Sequence, residues 1–274
     1  MIWPAEDLWL ALVAKQPGLT VEVLPAIDST NTELMRRARA GQTEPVLLVA
    51  ETQTAGRGRL GRPWHGDVGH ALTFSLGLML KPADWSGLSL AVGLSLARSL
   101  DPQGELGVRL KWPNDLWVKR PPLSSNTPTG WGKLAGILIE TALPAGMSYS
   151  ADQGREQGRY CVVGVGINIA PPVAEGLSTA PLGLQDLQSG ITAPEALMKV
   201  AEPLLATLLA FERTGFAPLQ NAFNARDALH NLSVTLSDGR QGVARGVDAT
   251  GALLVDTEQG QEAISSSEVS VRPV

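Results

Sequence analysis

The sequence predicts an α+β protein, with a larger domain of helices and strands over residues 1–229 and a small β-barrel over 230–274. Three observations carry this. Short apolar runs of strand character are interleaved with segments of helical period. After His230 the composition changes to brief strands split by turn-rich links. The 274 residues, 44% hydrophobic and 18% charged, can also bury a full core, which excludes global disorder.

Taken in order, residues 28–41 read as a helix. Thr30 and Glu33 have capping-box spacing, Leu34, Met35 and Ala38 form an apolar face, and Gly41 stops it. Val46–Ala50 and Ala71–Leu80 read as strands, the second almost uninterrupted in its apolar character. Residues 86–100 have helical spacing, and 105–110, 134–140 and 159–169 are strand candidates. An amphipathic helix over 194–211 turns Leu197, Val200, Ala201, Leu204, Leu205 and Leu208 inward, and a shorter helix is expected over 216–228. In the small domain, strands at 233–236, 240–247, 252–256 and 262–266 are separated by Ser-Asp-Gly, Asp-Ala-Thr-Gly and Glu-Gln-Gly turns. Residues 119–132 and 147–157 read as polar exposed loops.

Bulk properties narrow the function. A net charge of −5 argues against a protein whose main partner is DNA or RNA. The single cysteine, Cys161, excludes an internal disulfide framework, and its apolar run makes it a buried small side chain. Residues 1–7 lack the basic start of a secretory signal, and no apolar run approaches the ~20 residues of a membrane span. A cytoplasmic protein without membrane contact is the expectation.

Chemistry concentrates in five segments. At 51–65, Arg57, Arg59 and Arg62 alternate with Gly56, Gly58 and Gly61 directly after a strand. Glycine lets backbone approach a ligand closely, and arginine presents a fixed fork of donors to phosphate or carboxylate oxygens. This suits a loop wrapping a small anion; alone, it is equally a solvated turn or a nucleic-acid patch. In Lys-Trp-Pro-Asn-Asp at 111–115, Pro113 forces Trp112 out of the helical region, so Asn114 and Asp115 project from a strand end. Lys133 opens the apolar strand 133–140, where an unpaired ammonium is costly unless a ligand carboxylate or phosphate meets it, and Gly136 leaves room for that ligand. Ser29, Thr30 and Asn31 begin a helix, where N–H groups and hydroxyls can meet a polar ligand head or form an ordinary N-cap. Gly164, Gly166 and Asn168 give bare backbone plus one polar side chain, a pattern that close packing also explains.

These five segments, in this order, resemble the signature blocks of the biotin–protein ligases (biotin–[carboxylase] ligases), and the resemblance runs from about Leu24 to the C-terminus. It implies a mixed-sheet catalytic domain with flanking helices, class II synthetase-like and of the biotin/lipoate ligase type, and an SH3-like C-terminal barrel. It also implies that ATP and biotin form biotinyl-5′-adenylate and pyrophosphate, and that biotin passes to a lysine of the biotin carboxyl carrier domain of a carboxylase. ATP, Mg²⁺ and biotin enter as substrates, with no tightly bound prosthetic group.

Carried over residue by residue, the resemblance gives biotin to Ser29, Thr30, Asn31, Gln53, Gly56, Arg57, Lys133 and Gly136, with its head group on Ser29, Thr30, Asn31 and Gln53. Arg59, Arg62, Trp64, Lys111, Asn114, Asn168 and Arg272 fall to ATP or adenylate; Trp64 either stacks on adenine or is an ordinary half-buried aromatic, and Arg272 either reaches across the domain interface or forms a surface salt bridge. Asp115 and Asn114 are hard oxygen ligands for Mg²⁺, and Lys133, Arg57 and Arg59 form the catalytic electrostatic clamp. His65 and His70 lack a third ligand and are assigned no metal. Some members of the family add a winged-helix repressor module. Only 28 residues precede Ser29, which sets the expectation of no DNA partner. Exposed strand edges allow a homodimer, and the pattern leaves this open. Two other readings stay open: a lipoate or octanoate ligase or transferase of the same fold, and a non-catalytic biotin or nucleotide sensor.

Overall fold

The computed structural model describes residues 1–64, 66–119, 130–143, 158–172, 180–265 and 272–273. The elements are α1 (Ala5–Val13), β1 (Thr20–Leu24), α2 (Thr30–Arg39), β2 (Val46–Ala50), β3 (Ala71–Leu80), α3 (Leu88–Leu100), β4 (Val108–Lys111), β5 (Asp115–Lys119) and β6 (Trp131–Ala142). They continue with β7 (Arg159–Asn168), β8 (Ala180–Pro181), α4 (Ala193–Thr214), α5 (Gln220–Asn224), β9 (Ser233–Thr235), β10 (Gln241–Val247), β11 (Leu253–Thr257), β12 (Gly260–Ile264) and β13 (Arg272–Pro273). The first sheet runs β1-β2-β3-β7-β6-β5-β4, with β8 beside the start of β6. β1 with β2 and β6 with β8 are parallel and the other pairs antiparallel, so the sheet is mixed. The second sheet, β12-β11-β10-β9-β13, is wholly antiparallel, as the expected SH3-like domain requires.

Strand periodicity decides what each sheet face carries. On β3, Leu72, Phe74, Leu76, Leu78 and Leu80 enter the large core beneath α1, α3 and α4. The alternate residues Thr73 and Ser75 are buried toward the opposite face. β7 repeats the pattern: Cys161, Val163, Val165 and Ile167 lie in the large core, while Tyr160 and Val162 pack with Leu34, Met35 and Ala38 of α2 in a second cluster. Further along that second face come Gly164, Gly166 and Asn168. α2 therefore covers one end of this face and leaves the rest as the floor of a cleft.

Several expectations are corrected. The N-cap of α2 is Ser29, whose Oγ accepts from Thr32 N at 3.4 Å; Glu33 pairs with Arg36 and Arg37 instead of closing a capping box on Thr30. Residues 216–228 hold a short 3₁₀ turn and the five-residue α5, because Arg226 and Ala228 pair along the outer edge of β4. α1, β1, β5 and the two-residue strands β8 and β13 were not anticipated. The polar loop at 147–157 lies outside the described residues, as does 120–129 within the loop expected over 119–132.

The small domain braces the β4–β5 hairpin. Trp112, wholly buried in the turn, donates from Nε1 to Gly251 O at 3.1 Å. Gly251 has φ +86°, and a Cβ there would lie 2.9 Å from Gly87 Cα, so its turn can press against the start of α3 only as glycine. Trp112→Phe keeps most of the ring packing but strands that carbonyl, and is expected to cost about 1 kcal/mol. Trp112→Ala is expected to cost about 3–5 kcal/mol. Urea unfolding of the two variants measures both.

Candidate functional site

The cleft, approximately 240 Å³, lies on the sheet face beside the first turn of α2. Ser29, Thr30, Asn31, Gln53, Arg57, Arg59, Arg62, Trp64, Lys111, Asn114, Asp115, Lys133, Gly136 and Asn168 all line it. Gly56 adjoins it, its Cβ position 2.9 Å from Gln53 Nε2. Arg272 forms the β13 bridge to Thr235, but its side chain lies outside the described residues, as does His65.

One end of the cleft is a relay of neutral polar groups. Gln53 Oε1 accepts from Thr30 N at 2.8 Å and from Thr30 Oγ1 at 3.1 Å. Both bonds fall on the same oxygen, so the Gln53 amide is turned with its NH₂ toward Gly56. Ser75, fully buried on β3, has its hydroxyl 2.7 Å from both Thr30 Oγ1 and Asn31 Oδ1. Asn31 Nδ2 donates to Leu138 O at 3.2 Å and to Glu140 Oε2 at 3.0 Å. This end of the cleft therefore offers one amide donor, from Gln53, and one amide acceptor, Asn31 Oδ1.

The other end is cationic. The Arg/Gly loop is a closed hairpin, with Trp64 N bonded to Gly56 O at 2.9 Å and Gly58 N to Arg62 O at 2.7 Å. At its tip, Leu60 and Gly61 take φ +56° and +69°. Arg57 reaches back to α2, donating to Thr32 Oγ1 at 2.9 Å, with Glu140 3.8 Å away. Arg59 is pulled below its ordinary basicity by burial, against the opposing attraction of Asp115. Burial also pushes Lys111 down to about 8, opposed by Asp115 and reinforced by Lys133, Arg59 and Arg62. Among the described residues, five cations and one carboxylate line the cleft of a chain whose net charge is −5.

Lys133 differs from expectation. It is paired with Asp115, Nζ to Oδ1 at 2.7 Å, rather than awaiting a ligand alone. Two features bring them together. Lys111 and Asp115 face each other across the β4–β5 hairpin, and Asp115 pairs with Gly136 on β6. The β5–β6 register then slips by one residue, so Trp117 opposes Lys133 while Leu116 opposes Ala135. Simple alternation would send Lys133 to the face of Ala135 and Ile137. The bulge sends Leu134 into the core instead and turns Lys133 toward the cleft.

Trp64 lies across the two bare strands. A Cβ on Gly166 would fall 2.3 Å from its ring and one on Gly136 3.2 Å, and Lys133 Nζ sits 5.8 Å from the ring centroid. Its Nε1 is buried with no hydrogen-bond partner among the described residues. Asn114 Nδ2 donates to Ile137 O at 2.9 Å and Asn168 Nδ2 to Lys133 O at 3.0 Å, so both amides support the backbone beside the site. Among the described residues no three His, Cys, Asp or Glu side chains cluster as a metal site. Sequence reasoning missed Ser75, Thr32 and Glu140. The signal for Ser75 was present: Thr73, Ser75 and Gly77 interrupt β3 at every second position, marking the face that is not core.

A mixed sheet with helices on its core face, a polar-to-cationic cleft on the other and an antiparallel C-terminal domain is the architecture that the resemblance to biotin protein ligases implies. Residues 23–149 match the biotin/lipoate A/B protein ligase family, and 234–272 match the biotin protein ligase C terminal domain. The chain is 33% identical over 268 residues to the bifunctional ligase/repressor BirA of Escherichia coli (strain K12), covering 95% of this chain and 77% of that one. It is 32% identical to the biotin–[acetyl-CoA-carboxylase] ligase of Mycobacterium tuberculosis, covering 91% and 88% of the two chains. The biotin protein ligase of Aquifex aeolicus in complex with biotin and ATP superposes with a TM-score of 0.72 at 27% identity, over 93% of this chain and 99% of that one. The chain belongs to the biotin protein ligase family and is a ligase. No helix among its described residues is long and apolar enough to cross a membrane.

Proposed function

We propose that this chain couples ATP to the ligation of biotin onto a lysine of a biotin carboxyl carrier domain, through biotinyl-5′-adenylate. The single observation that carries the reading is the polarity of the cleft: one amide acceptor and one amide donor at the α2 end, with Arg57 reaching back to it, and Arg59, Arg62, Lys111 and Lys133 at the other. A cyclic urea has N–H donors and a carbonyl acceptor, which complement Asn31 Oδ1 and the Gln53 amide. Its carboxylate tail would extend toward Lys133 and the arginine loop.

In the first step a biotin carboxylate oxygen attacks the α-phosphorus of ATP, the bond to the β-phosphate oxygen breaks, and pyrophosphate leaves. Lys133, Arg57 and Arg59 hold the two anions together against their repulsion, and Arg62 and Lys111 neutralise the departing charge. Lys133 exchanges Asp115 for the ligand, which frees that carboxylate. Asp115 alone does not make a resident metal site, but with Asn114 beside it that carboxylate would hold a Mg²⁺ delivered with the nucleotide, which would neutralise phosphate charge there. Trp64, against Gly166 and with its N–H unpaired, suits the adenine. In the second step the carrier amine attacks the acyl carbon, an amide forms and AMP leaves. Arg272 and Asn168 are assigned to the nucleotide side, and the domain division stays at 229/230.

Pyrophosphate exchange into ATP, with biotin, lipoate or neither, tests the reading. Exchange with biotin alone is expected. Exchange with lipoate would move the chain to the sister activity, and binding of biotin without exchange would make it a sensor. The nucleotide end adds a pH dependence. Lys111 loses its proton near pH 8 in the empty site, whereas a bound phosphate favours the charged form. The KM for ATP should therefore rise as pH increases through 8 to 9, and Lys111→Arg should flatten that rise. A flat wild-type profile would remove Lys111 from the phosphate site.

A further inference from the structure

We infer that Glu140 is a positioning residue that sets the ligand specificity of the cleft by fixing which way the Asn31 amide faces. The inference rests on the biotin reading above. An asparagine amide can present either nitrogen or oxygen to a ligand, and nothing in the residue itself chooses. Here both amide hydrogens are engaged by acceptors of the protein itself, one on Leu138 O and one on Glu140 Oε2. The Leu138 carbonyl alone would hold one hydrogen. The carboxylate of Glu140 takes the second in a charge-assisted bond, which is stronger than a neutral one. Oδ1 is then left beside Gly164, where a side chain on β7 would lie only 2.1 Å from it. Ser75 occupies at most one lone pair of Oδ1, so one remains for a ligand N–H. Asn31 is 3% exposed, so a turned amide could not exchange its lost bonds for water.

Glu140 also stands 3.8 Å from Arg57, so a competing account is that its charge merely neutralises the loop arginine. Two variants separate the accounts. Glu140→Gln keeps an oxygen that accepts from Asn31 Nδ2 but removes the charge opposite Arg57. Glu140→Asp keeps the charge but shortens the side chain by one methylene, out of reach of the amide.

The experiment is calorimetric titration of biotin into the full chain without nucleotide, followed by the KM for biotin and for ATP in pyrophosphate exchange. Loss of a bond to a charged group from a buried amide is expected to weaken biotin about tenfold to a hundredfold in Glu140→Ala and Glu140→Asp. Glu140→Gln should stay within about threefold of wild type, and the KM for ATP within about twofold in all three. A Glu140→Asp variant as tight as wild type, or a Glu140→Gln variant as weak as Glu140→Ala, would overturn the inference in favour of charge neutralisation. Should Glu140→Ala not fold, the Gln and Asp variants decide alone. Failure of the wild-type chain to bind biotin would instead overturn the function it rests on, an outcome visible before any variant is compared.

Discussion

Lys133→Ala is expected to lower biotin-dependent pyrophosphate exchange by about 10²–10³-fold while leaving a folded protein, because it removes a cation aimed at charge that develops in the transition state. The side chain lies at the β5–β6 bulge, and its ammonium is held by Asp115 at 2.7 Å. Truncation therefore has two effects. It deletes the clamp between carboxylate and α-phosphate, and it leaves Asp115 without its ion-pair partner. The second effect costs stability, because the Asp115 oxygen facing Lys133 is buried; Lys111 and Arg59 remain as nearby cations, so the loss should be about 1–3 kcal/mol. Lys133→Arg supplies a control, since it retains the charge but not the compact ammonium. It should recover part of kcat. A folded Lys133→Ala chain with wild-type exchange would refute the role of Lys133 outright.

Gly164→Ala and Gly166→Ala are expected to fail in different ways, although they lie two residues apart on one face of β7. The new Cβ at 164 would meet Asn31 Oδ1 at 2.1 Å and Cγ at 2.7 Å. Asn31 cannot retreat without giving up its bonds to Leu138 and Glu140, so the biotin KM should rise by more than about a hundredfold. At 166 the Cβ would land 2.3 Å from the Trp64 ring and push the indole outward. Here the KM for ATP should rise and the biotin KM change little. Each overpacked position should also cost about 1–3 kcal/mol. Steady-state exchange kinetics with either substrate varied, alongside thermal melts, reads both. Identical KM changes in the two variants would contradict the division of the cleft into a polar end and a cationic end.

Most of the architecture was legible along the chain because its strands obey period two and its helices carry one apolar face. The bounds of β2 and β3 agree with the reading, and the inward residues named for α4 are all buried. What escaped was short or lacked a clean period. α1 buries only Leu8 and Leu12, and β5 directly follows a three-residue turn, so neither offers enough apolar repeats to stand out. The site shows the same division. The chemical character of the cleft, arginines between glycines and an Asn-Asp pair after a proline, is a property of local residue types, so the linear chain displayed it. The pairing of Lys133 with Asp115 depends on a one-residue register slip between strands, and the facing of Asn31 depends on Glu140, 109 residues away. Such contacts arise where elements cross, and their geometry is set by packing rather than by neighbours in sequence. Residue identity thus announced which chemistry is present, and the sheet decided which groups face each other before a ligand arrives.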